Sequence, residues 1–288
     1  MSCAVTEKLR DQASIAPVVS GGEDSGVNPF RTIPWDWKNW LRAWARGAAD
    51  FIYPPACRLC TADLPETDLT AEPGAPFCAS CRSQLLAWRG TSCIRCAAPL
   101  GPYLDPQKPC IFCRNDTFAF ERVFRLGVYD TILATACLRA KSAHGESLAA
   151  GLADLLWECE GNNLEQVGID VALAVPPHWL KRWTAAHHAA ETLASVWARK
   201  LKVPLAPHIL TKRRWTRPQS RLPPAERRQN LRDAFRVEAA ADLRGATVLL
   251  ADDVLTTGTT AHEVSKLLLQ AGAGRVVVAV IARGLGRR

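Results

Sequence analysis

The chain has 288 residues, carries a formal net charge of +8 and is 48% hydrophobic, so it can bury the core of one good-sized domain and a smaller module. No apolar run approaches the roughly 20 residues that cross a bilayer, and the amino terminus lacks the charged-then-apolar pattern of a secretion signal, so we expect a cytoplasmic, reduced protein without a transmembrane segment. The positive charge favours phosphate-bearing ligands or nucleic acid as partners, although charge says nothing about the fold.

The first 55 residues divide into two stretches. Residues 1–34 are polar, rich in Gly, Ser, Pro and Val, and without periodicity, which predicts a disordered tail. Residues 35–55 predict an amphipathic helix that ends at two prolines. The helix either packs on the rest of the protein or lies on a membrane surface, and the few positive charges opposite its apolar face disfavour the membrane. The residues on that apolar face are Trp37, Trp40, Leu41, Trp44, Ala48 and Phe51.

Residues 56–118 predict a double zinc ribbon. Eight of the eleven cysteines form four Cys-x-x-Cys pairs in this segment, and two such pairs complete a tetrahedral zinc site. Pairing the first knuckle with the second and the third with the fourth is simplest, although interleaved pairing, oxidised pairs and an iron–sulfur cluster stay open. The predicted ligands of two structural zinc ions are Cys57, Cys60, Cys78, Cys81, Cys93, Cys96, Cys110 and Cys113.

Residues 119–288 alternate short apolar strands with helices. This order predicts an α/β domain in which helices cover both faces of a parallel sheet. Ligands of such sheets bind beyond the carboxyl ends of the strands, and Asp252 and Asp253 are predicted to lie at that edge. The predicted strands are 122–129, 170–175, 246–251 and 275–282, and the predicted helices are 131–141, 146–159, 185–201 and 261–271.

A loop of small residues, Thr256, Thr257, Gly258, Thr259 and Thr260, follows the two aspartates. Its backbone N–H groups, its hydroxyls and the amino terminus of the next helix, which Thr259 or Thr260 is expected to cap, form a cradle for a phosphate. The loop is neither a Walker A loop nor a dinucleotide fingerprint. The carboxylates therefore serve another part of the same ligand: they accept hydrogen bonds from ribose hydroxyls, or they hold Mg²⁺.

The stretch "VLLADDVLTTGTT" resembles the phosphoribosyl-pyrophosphate signature of type I phosphoribosyltransferases. Together with the four Cys-x-x-Cys pairs, it makes residues 40–288 resemble the ComF family of bacterial competence and DNA-utilisation proteins. The resemblance implies a type I phosphoribosyltransferase-like fold that binds phosphoribosyl pyrophosphate, or another 5-phosphoribosyl ligand, with Mg²⁺. It also implies that Asp252 and Asp253 hold the ribose and take part in catalysis, and that residues 256–260 hold the 5′-phosphate.

The chain departs from the family pattern after the strand at 170–175. Lys181 and Arg182 are candidates to bind pyrophosphate, but the Arg, Asn and Gln usual after them are replaced, and His187 and His188 stand there instead. Adjacent histidines on a helix point about 100° apart, so we interpret them as structural or solvated. The departure affects turnover more than binding, so phosphoribosyl transfer and binding without transfer are both retained.

Residues 212–236 carry nine basic and two acidic side chains, a net charge of +7 that nearly equals that of the whole chain. The segment forms a hood over phosphoribosyl pyrophosphate, a track for single-stranded DNA on which Trp215 stacks a base, or a solvated charged surface. The candidate nucleic-acid contacts are Arg213, Arg214, Trp215 and Arg217.

Three functional hypotheses follow. The first is a pentosyl transferase, or a binding protein derived from one, that recognises a 5-phosphoribosyl ligand. The second is a non-catalytic factor that handles single-stranded DNA. The third is a zinc-ribbon adaptor that docks a DNA-translocating helicase of the competence machinery.

Overall fold

In the computed structural model, four parallel strands form the central sheet. The edge strands are β1, Arg122–Val128, and β2, Val171–Ala174, and the two central strands are β5, Thr247–Leu255, and β6, Arg275–Arg283. Their order across the sheet is β1-β6-β5-β2. The near-continuous Val, Ile, Leu and Ala sequences of β5 and β6 are buried on both faces, as expected of central parallel strands.

Helices cover both faces of this sheet. One face packs on α2, Thr131–Ala140, α3, Glu146–Glu165, and α4, Ala189–Leu201. The other face packs on α5, Thr259–Gln270. The fully buried Trp197 of α4 donates its indole N–H to the Ala153 carbonyl of α3 at 3.0 Å, which fixes the two helices together. The predicted α/β architecture is therefore confirmed.

Two short strands, β3, Leu210–Lys212, and β4, Phe235–Val237, pair antiparallel beside α5. A seven-residue helix, α1, Ala79–Leu85, lies in the cysteine-rich part of the chain. The structure describes residues 56–64, 77–88, 90–177, 187–212, 234–238 and 242–285. These residues all belong to one compact unit, and none of the helices among them is long and apolar enough to span a membrane.

Four predicted element boundaries differ from the structure by more than one residue. The helix predicted over 146–159 continues to Glu165, because small and apolar residues still face the core there. The helix predicted over 185–201 begins at Ala189, after His188 in extended conformation, and residues 185 and 186 lie outside the described part of the chain. Helix α5 begins at Thr259 and not at residue 261.

The most consequential difference is that β5 continues to Leu255. Two aspartates end the apolar sequence run, but they do not end the strand. The pairing of β5 with β2 stops at Ala174↔Ala251, whereas its pairing with β6 continues to Leu255↔Arg283. Asp252 and Asp253 therefore lie in an overhang of β5 that has β6 on one side and extends past β2 on the other.

Candidate functional site

The overhang of β5 places the two carboxylates next to a lysine. The Asp253 backbone N–H donates to Asp252 Oδ1 at 2.9 Å. Lys141, the residue that ends α2, brings its Nζ to 2.5 Å from Asp253 Oδ2. The Asp253 side chain is 15% exposed and that of Lys141 is 50% exposed, so the ion pair lies at the boundary between the core and solvent.

The charge of Asp253 changes the pKa values of both Asp252 and Lys141. Burial, followed by the adjacent Asp253 carboxylate, raises the pKa of Asp252 well above its ordinary value. Burial alone would lower the pKa of Lys141, but the facing Asp253 carboxylate raises it. Burial also raises the pKa of the neighbouring Cys137 thiol to about 12, which keeps it neutral. Two carboxyls facing one ammonium attract a further cation or several hydroxyl donors.

Lys141 is a functional candidate that sequence reasoning missed. It stands more than a hundred residues before the aspartates, in a stretch without a motif. The sequence feature that could have indicated it is its position: it is a basic residue directly after the helix that follows the edge strand β1. His187 lies beside it: its Nε2 is 2.8 Å from the Ser142 carbonyl, which agrees with the structural interpretation of that histidine.

The threonine loop turns from β5 into α5 at Gly258. This glycine has φ +76°, in the left-handed region, and occupies the N-cap position without a side-chain cap bond. The prediction that Thr259 or Thr260 caps the helix was therefore wrong, because the turn needs a positive φ there and glycine adopts it at least cost. The hydroxyls of Thr257 and Thr259 lie 2.8 Å apart, which groups donors at the helix amino terminus.

The loop is backed by two aromatic rings from the cysteine-rich region. Phe118 and Phe120 stack with their ring centroids 4.5 Å apart. A Cβ on Gly258 would lie only 3.0 Å from Phe118 Cε1. The Ala119 N–H donates to His262 Nδ1 on α5 at 3.0 Å. The chain that leaves the last cysteine therefore packs directly on the turn.

The eight cysteines form two groups of four, each with sulfur atoms within 4.8 Å of one another. The first cysteine cluster is Cys57, Cys60, Cys78 and Cys81, and the second cysteine cluster is Cys93, Cys96, Cys110 and Cys113. The structure thus groups the first Cys-x-x-Cys knuckle with the second and the third with the fourth, which is the sequential pairing and not the interleaved one. In each cluster the residue after the first knuckle, Thr61 or Ala97, has a positive φ, and its N–H donates to the backbone carbonyl of the first cysteine of that knuckle.

The sulfur atoms fit a tetrahedral metal site. Zinc–sulfur bonds of about 2.3 Å separate the sulfurs of a regular tetrahedron by about 3.8 Å. The observed separations are 3.7 Å for Cys60 and Cys78, 3.5 Å for Cys96 and Cys110, and 3.8 Å for Cys93 and Cys113. Both groups could therefore hold a thiophilic metal ion.

Two buried arginines face the second cluster. Arg283 is 4% exposed and donates Nε to the Cys96 carbonyl at 2.8 Å. Arg125 is 6% exposed, has no hydrogen-bond acceptor among the described residues, and stacks over the Trp88 ring at 4.1 Å. Burial lowers the pKa of Arg125 to about 10, the charge of Arg283 adds to that effect, and the charges of Glu160 and Cys96 oppose it. A zinc ion with four thiolates carries a charge of −2, which would join the Glu160 carboxylate in balancing the two arginines.

Six predicted site residues lie outside the described part of the chain. Lys181 and Arg182, the pyrophosphate candidates, belong to the connection between β2 and α4. Arg213, Arg214, Trp215 and Arg217, the nucleic-acid candidates, belong to the connection between β3 and β4.

Comparison with known proteins defines the class of the domain that contains this site. A model of the phosphoribosyl transferase domain family matches residues 187–288, which include both aspartates and the threonine loop. Over 212 residues the chain is 28% identical to the DNA utilization protein YhgH of Salmonella typhi, covering 73% of this chain and 91% of the relative. Competence protein F of Haemophilus influenzae is 27% identical, covering 72% and 90%.

The chain therefore carries a phosphoribosyl transferase-type domain, and its resemblance to the ComF family of competence and DNA-utilisation proteins is confirmed. Among solved structures, the glutamine phosphoribosylpyrophosphate amidotransferase of B. subtilis is similar with a TM-score of 0.31 and 23% identity. That alignment covers 47% of this chain and 27% of the amidotransferase. The purine phosphoribosyltransferase of Pyrococcus horikoshii gives 0.27 and 14%, covering 55% and 78%. At these TM-scores the structures add nothing to the fold described above.

Proposed function

We propose that this protein binds phosphoribosyl pyrophosphate, or another 5-phosphoribosyl ligand, together with Mg²⁺, and that it serves DNA uptake or nucleotide utilisation. The observation that carries the proposal is the junction of a carboxylate pair and a threonine loop at the end of β5, inside the matched domain. The names of the relatives support the biological setting. We further propose that each cysteine cluster holds one structural zinc ion.

In this proposal Asp252 and Asp253 accept hydrogen bonds from the two ribose hydroxyls. Residues 256–260 and the amino terminus of α5 hold the 5′-phosphate, since backbone N–H groups and the helix dipole both favour an anion there. Mg²⁺ would neutralise the pyrophosphate. Lys141 forms an ion pair with Asp253, and its half-exposed ammonium can turn to the ligand once hydroxyl donors have replaced it.

Transfer of the ribosyl group would need further stabilisation of the leaving pyrophosphate. Displacement at the anomeric carbon passes through an oxocarbenium-like state, for which positioning and charge stabilisation count most. Lys181 and Arg182 are the proposed groups on the pyrophosphate side, with Lys141 as a third. Release of pyrophosphate in the presence of acceptor bases measures whether binding leads to transfer.

Calorimetric titration with phosphoribosyl pyrophosphate and Mg²⁺ tests the proposed binding. The double variant Asp252→Asn, Asp253→Asn should lose about 3 kcal/mol of binding free energy, because two charge-assisted hydrogen bonds are removed. Asp242→Asn is the matched control: that aspartate is 64% exposed and pairs only with the neighbouring Arg244. An unchanged affinity in the double variant would contradict the proposed roles of the pair.

Binding of single-stranded DNA is a second candidate, favoured by the net charge of +7 over residues 212–236. At the two ends of this segment, Lys212 pairs with Phe235 in the antiparallel ribbon and lies 5.4 Å from its ring centroid. If the segment contacts DNA, the logarithm of affinity should fall with that of salt by about 0.7 per phosphate contacted. Reversing Arg213, Arg214 and Arg217 to Glu should flatten this slope. Trp215→Ala should weaken binding by about 1–3 kcal/mol without changing the slope.

An adaptor role is the third candidate, and exposed apolar side chains beside the second cluster favour it. Tyr103 is 97% exposed and Ile111 is 62% exposed. Such residues on a zinc ribbon suit docking of another protein, for which we propose a DNA-translocating helicase. Tyr103→Ser and Ile111→Ser should weaken that complex and leave the affinity for phosphoribosyl pyrophosphate unchanged.

A further inference from the structure

The side chain of Arg283 connects the second cysteine cluster to the threonine loop. Arg283 is the last residue of β6 and is 4% exposed. Its Nε donates to the Cys96 carbonyl at 2.8 Å, and its Nη1 donates to the Leu255 carbonyl at 3.1 Å. The same Nη1 also contacts the carbonyls of Thr256 and Gly284. A single buried guanidinium thus holds one carbonyl of the cluster and the first carbonyl of the loop.

The cluster end of this connection is itself a candidate metal-ligand position. Cys96 closes the Cys-x-x-Cys knuckle, whose turn is fixed by the left-handed Ala97 and by its N–H bond to the Cys93 carbonyl at 2.7 Å. A metal ion bound by the four sulfurs would hold that knuckle against the knuckle of Cys110 and Cys113. Without a common ligand the four thiols would make only weak sulfur contacts with one another, and the two knuckles would be free to shift relative to each other.

A second contact between cluster and loop is independent of Arg283. The Asp116 N–H donates to the Cys113 carbonyl at 3.1 Å, so the chain leaving the last cysteine is anchored to the cluster. Two residues later, Phe118 lies against Gly258 at the turn of the loop. Arg95, within the first knuckle of this cluster, binds the Asp116 carbonyl at 2.7 Å and lies over the Phe118 ring at 5.5 Å. The cluster therefore supports the loop at two places, its first residue and its turn at Gly258.

We propose that metal bound in the second cysteine cluster sets the geometry of residues 256–260, and that Arg283 is the positioning residue that transmits it. Metal occupancy and binding at the loop are then coupled, and by reciprocity a ligand on the loop must raise the affinity of that cluster for metal. The first cluster makes no such connection to the loop among the described residues. The identity of the ligand rests on the function proposed above, whereas the coupling of metal to loop geometry does not.

Hydrogen exchange of the zinc-loaded protein tests the positioning role without any ligand. Arg283→Lys keeps the charge but cannot serve all of these carbonyls, so amides of residues 255–262 should exchange about tenfold faster or more. Arg275→Lys is the matched control. It changes the same residue type at the opposite end of the same strand, where Arg275 binds Thr247 Oγ1 at 3.0 Å and the Val167 carbonyl. It should leave exchange in the loop unchanged.

Peptides from α4 should keep their protection in both variants, which separates a local change from unfolding. Removing zinc from the wild type with a chelator should reproduce the faster exchange of the loop. If Arg283→Lys exchanges like the wild type across the loop, or loses protection uniformly across the chain, the positioning role is overturned.

Competition for zinc with a chelator at equilibrium tests the coupling itself. Phosphoribosyl pyrophosphate with Mg²⁺ should raise the affinity for one of the two zinc ions about tenfold in the wild type, and by clearly less in Arg283→Lys, in which the Phe118 contact remains. If phosphoribosyl pyrophosphate binds the wild type but leaves both zinc affinities unchanged, the coupling is overturned. If the wild type binds no phosphoribosyl pyrophosphate, the proposed function fails, and the exchange comparison alone decides the positioning role.

Discussion

The two cysteine clusters share one local design but occupy different surroundings. In both, a knuckle closes over a left-handed residue, Thr61 or Ala97. In the first cluster Cys60 is exposed and Cys78 is half-buried, whereas all four cysteines of the second cluster are buried. The first packs on α2 and α3, and the second packs beside β1, β6 and the threonine loop.

In each cluster an arginine from the sheet domain binds a carbonyl of the knuckle. Arg139 of α2 donates to the Leu59 carbonyl, and Arg283 of β6 donates to the Cys96 carbonyl. Helix α2 ends at Lys141, the partner of Asp253, while β6 ends beside Thr256. The first cluster is therefore connected through α2 to the carboxylate half of the candidate site, and the second is connected through Arg283 to the phosphate half. The Cys-x-x-Cys spacing determines the local fold of each knuckle. The arginine that binds a carbonyl of the knuckle determines to which half of the candidate site the knuckle is connected.

The largest expected effect is the loss of one ligand from the buried cluster. Cys113→Ser should abolish one zinc ion per chain and lower the free energy of unfolding by about 4 kcal/mol or more, because it also removes the thiolate charge near the buried Arg125 and Arg283. Cys60→Ser should also lose one zinc ion but lower that free energy by less, since Cys60 is exposed. Metal analysis and urea unfolding measure both quantities. Equal losses of stability would contradict the difference between the clusters.

The sequence was sufficient for features that depend on local spacing. Cys-x-x-Cys pairs predicted both clusters, and apolar runs predicted all four strands of the parallel sheet. It was insufficient where tertiary contacts decide. The carboxylates suggested an early end of β5, but pairing with β6 carries the strand to Leu255. Lys141, Arg125 and Arg283 are single basic residues without a motif, and only the packing of α2, β1 and β6 brings them to the clusters and to the site.

A second prediction tests the charge balance at the buried cluster. Arg125→Met replaces a buried cation that has no acceptor among the described residues with an apolar side chain of similar length. In the zinc-loaded protein it should lower the free energy of unfolding by about 3 kcal/mol, because one of the two charges opposite the tetrathiolate site is lost.

After chelation the same substitution should cost clearly less, because the thiolate charge near Arg125 is then lost and the Glu160 carboxylate alone opposes the cost of its burial. Arg122→Met is the control, since this arginine lies on the same strand but is less buried and stacks over Phe124 at 4.5 Å. Its effect should not depend on zinc. Urea unfolding with and without chelator provides the four values, and a zinc-independent effect of Arg125→Met would argue against the charge balance.

A third prediction separates the turn of the loop from its contact with the second cluster. Gly258 and Gly245 both have positive φ, +76° and +72°, but a Cβ on Gly245 would meet nothing within 4 Å. Gly245→Ala should therefore cost about 1 kcal/mol of folding free energy from backbone strain alone. Gly258→Ala should cost about 2 kcal/mol, because Phe118 must also move, and it alone should weaken phosphate binding. If thermal unfolding shows the same loss of folding free energy for both substitutions, Phe118 does not restrict the side chain at position 258.

The smallest expected effect concerns the carboxylate half, which is connected to the first cluster through α2. The pKa of Asp252 is raised in the folded protein, mainly by burial and then by Asp253. Between the ordinary pKa of aspartate, about 4, and this raised value, the folded state binds more protons than the unfolded state, so stability falls as pH rises.

Asp252→Asn removes this titration. Without ligand and Mg²⁺, the variant should be more stable than the wild type by about 1 kcal/mol at pH 8, and the difference should vanish below pH of about 4. Asp253→Asn is the contrasting control, because it breaks the ion pair with Lys141 and should lower stability at pH 8. Urea unfolding from pH 4 to 8 measures both. A wild type whose stability does not fall relative to Asp252→Asn over this range would show that the Asp252 carboxyl is well solvated, and that the overhang of β5 exposes it to water before any ligand binds.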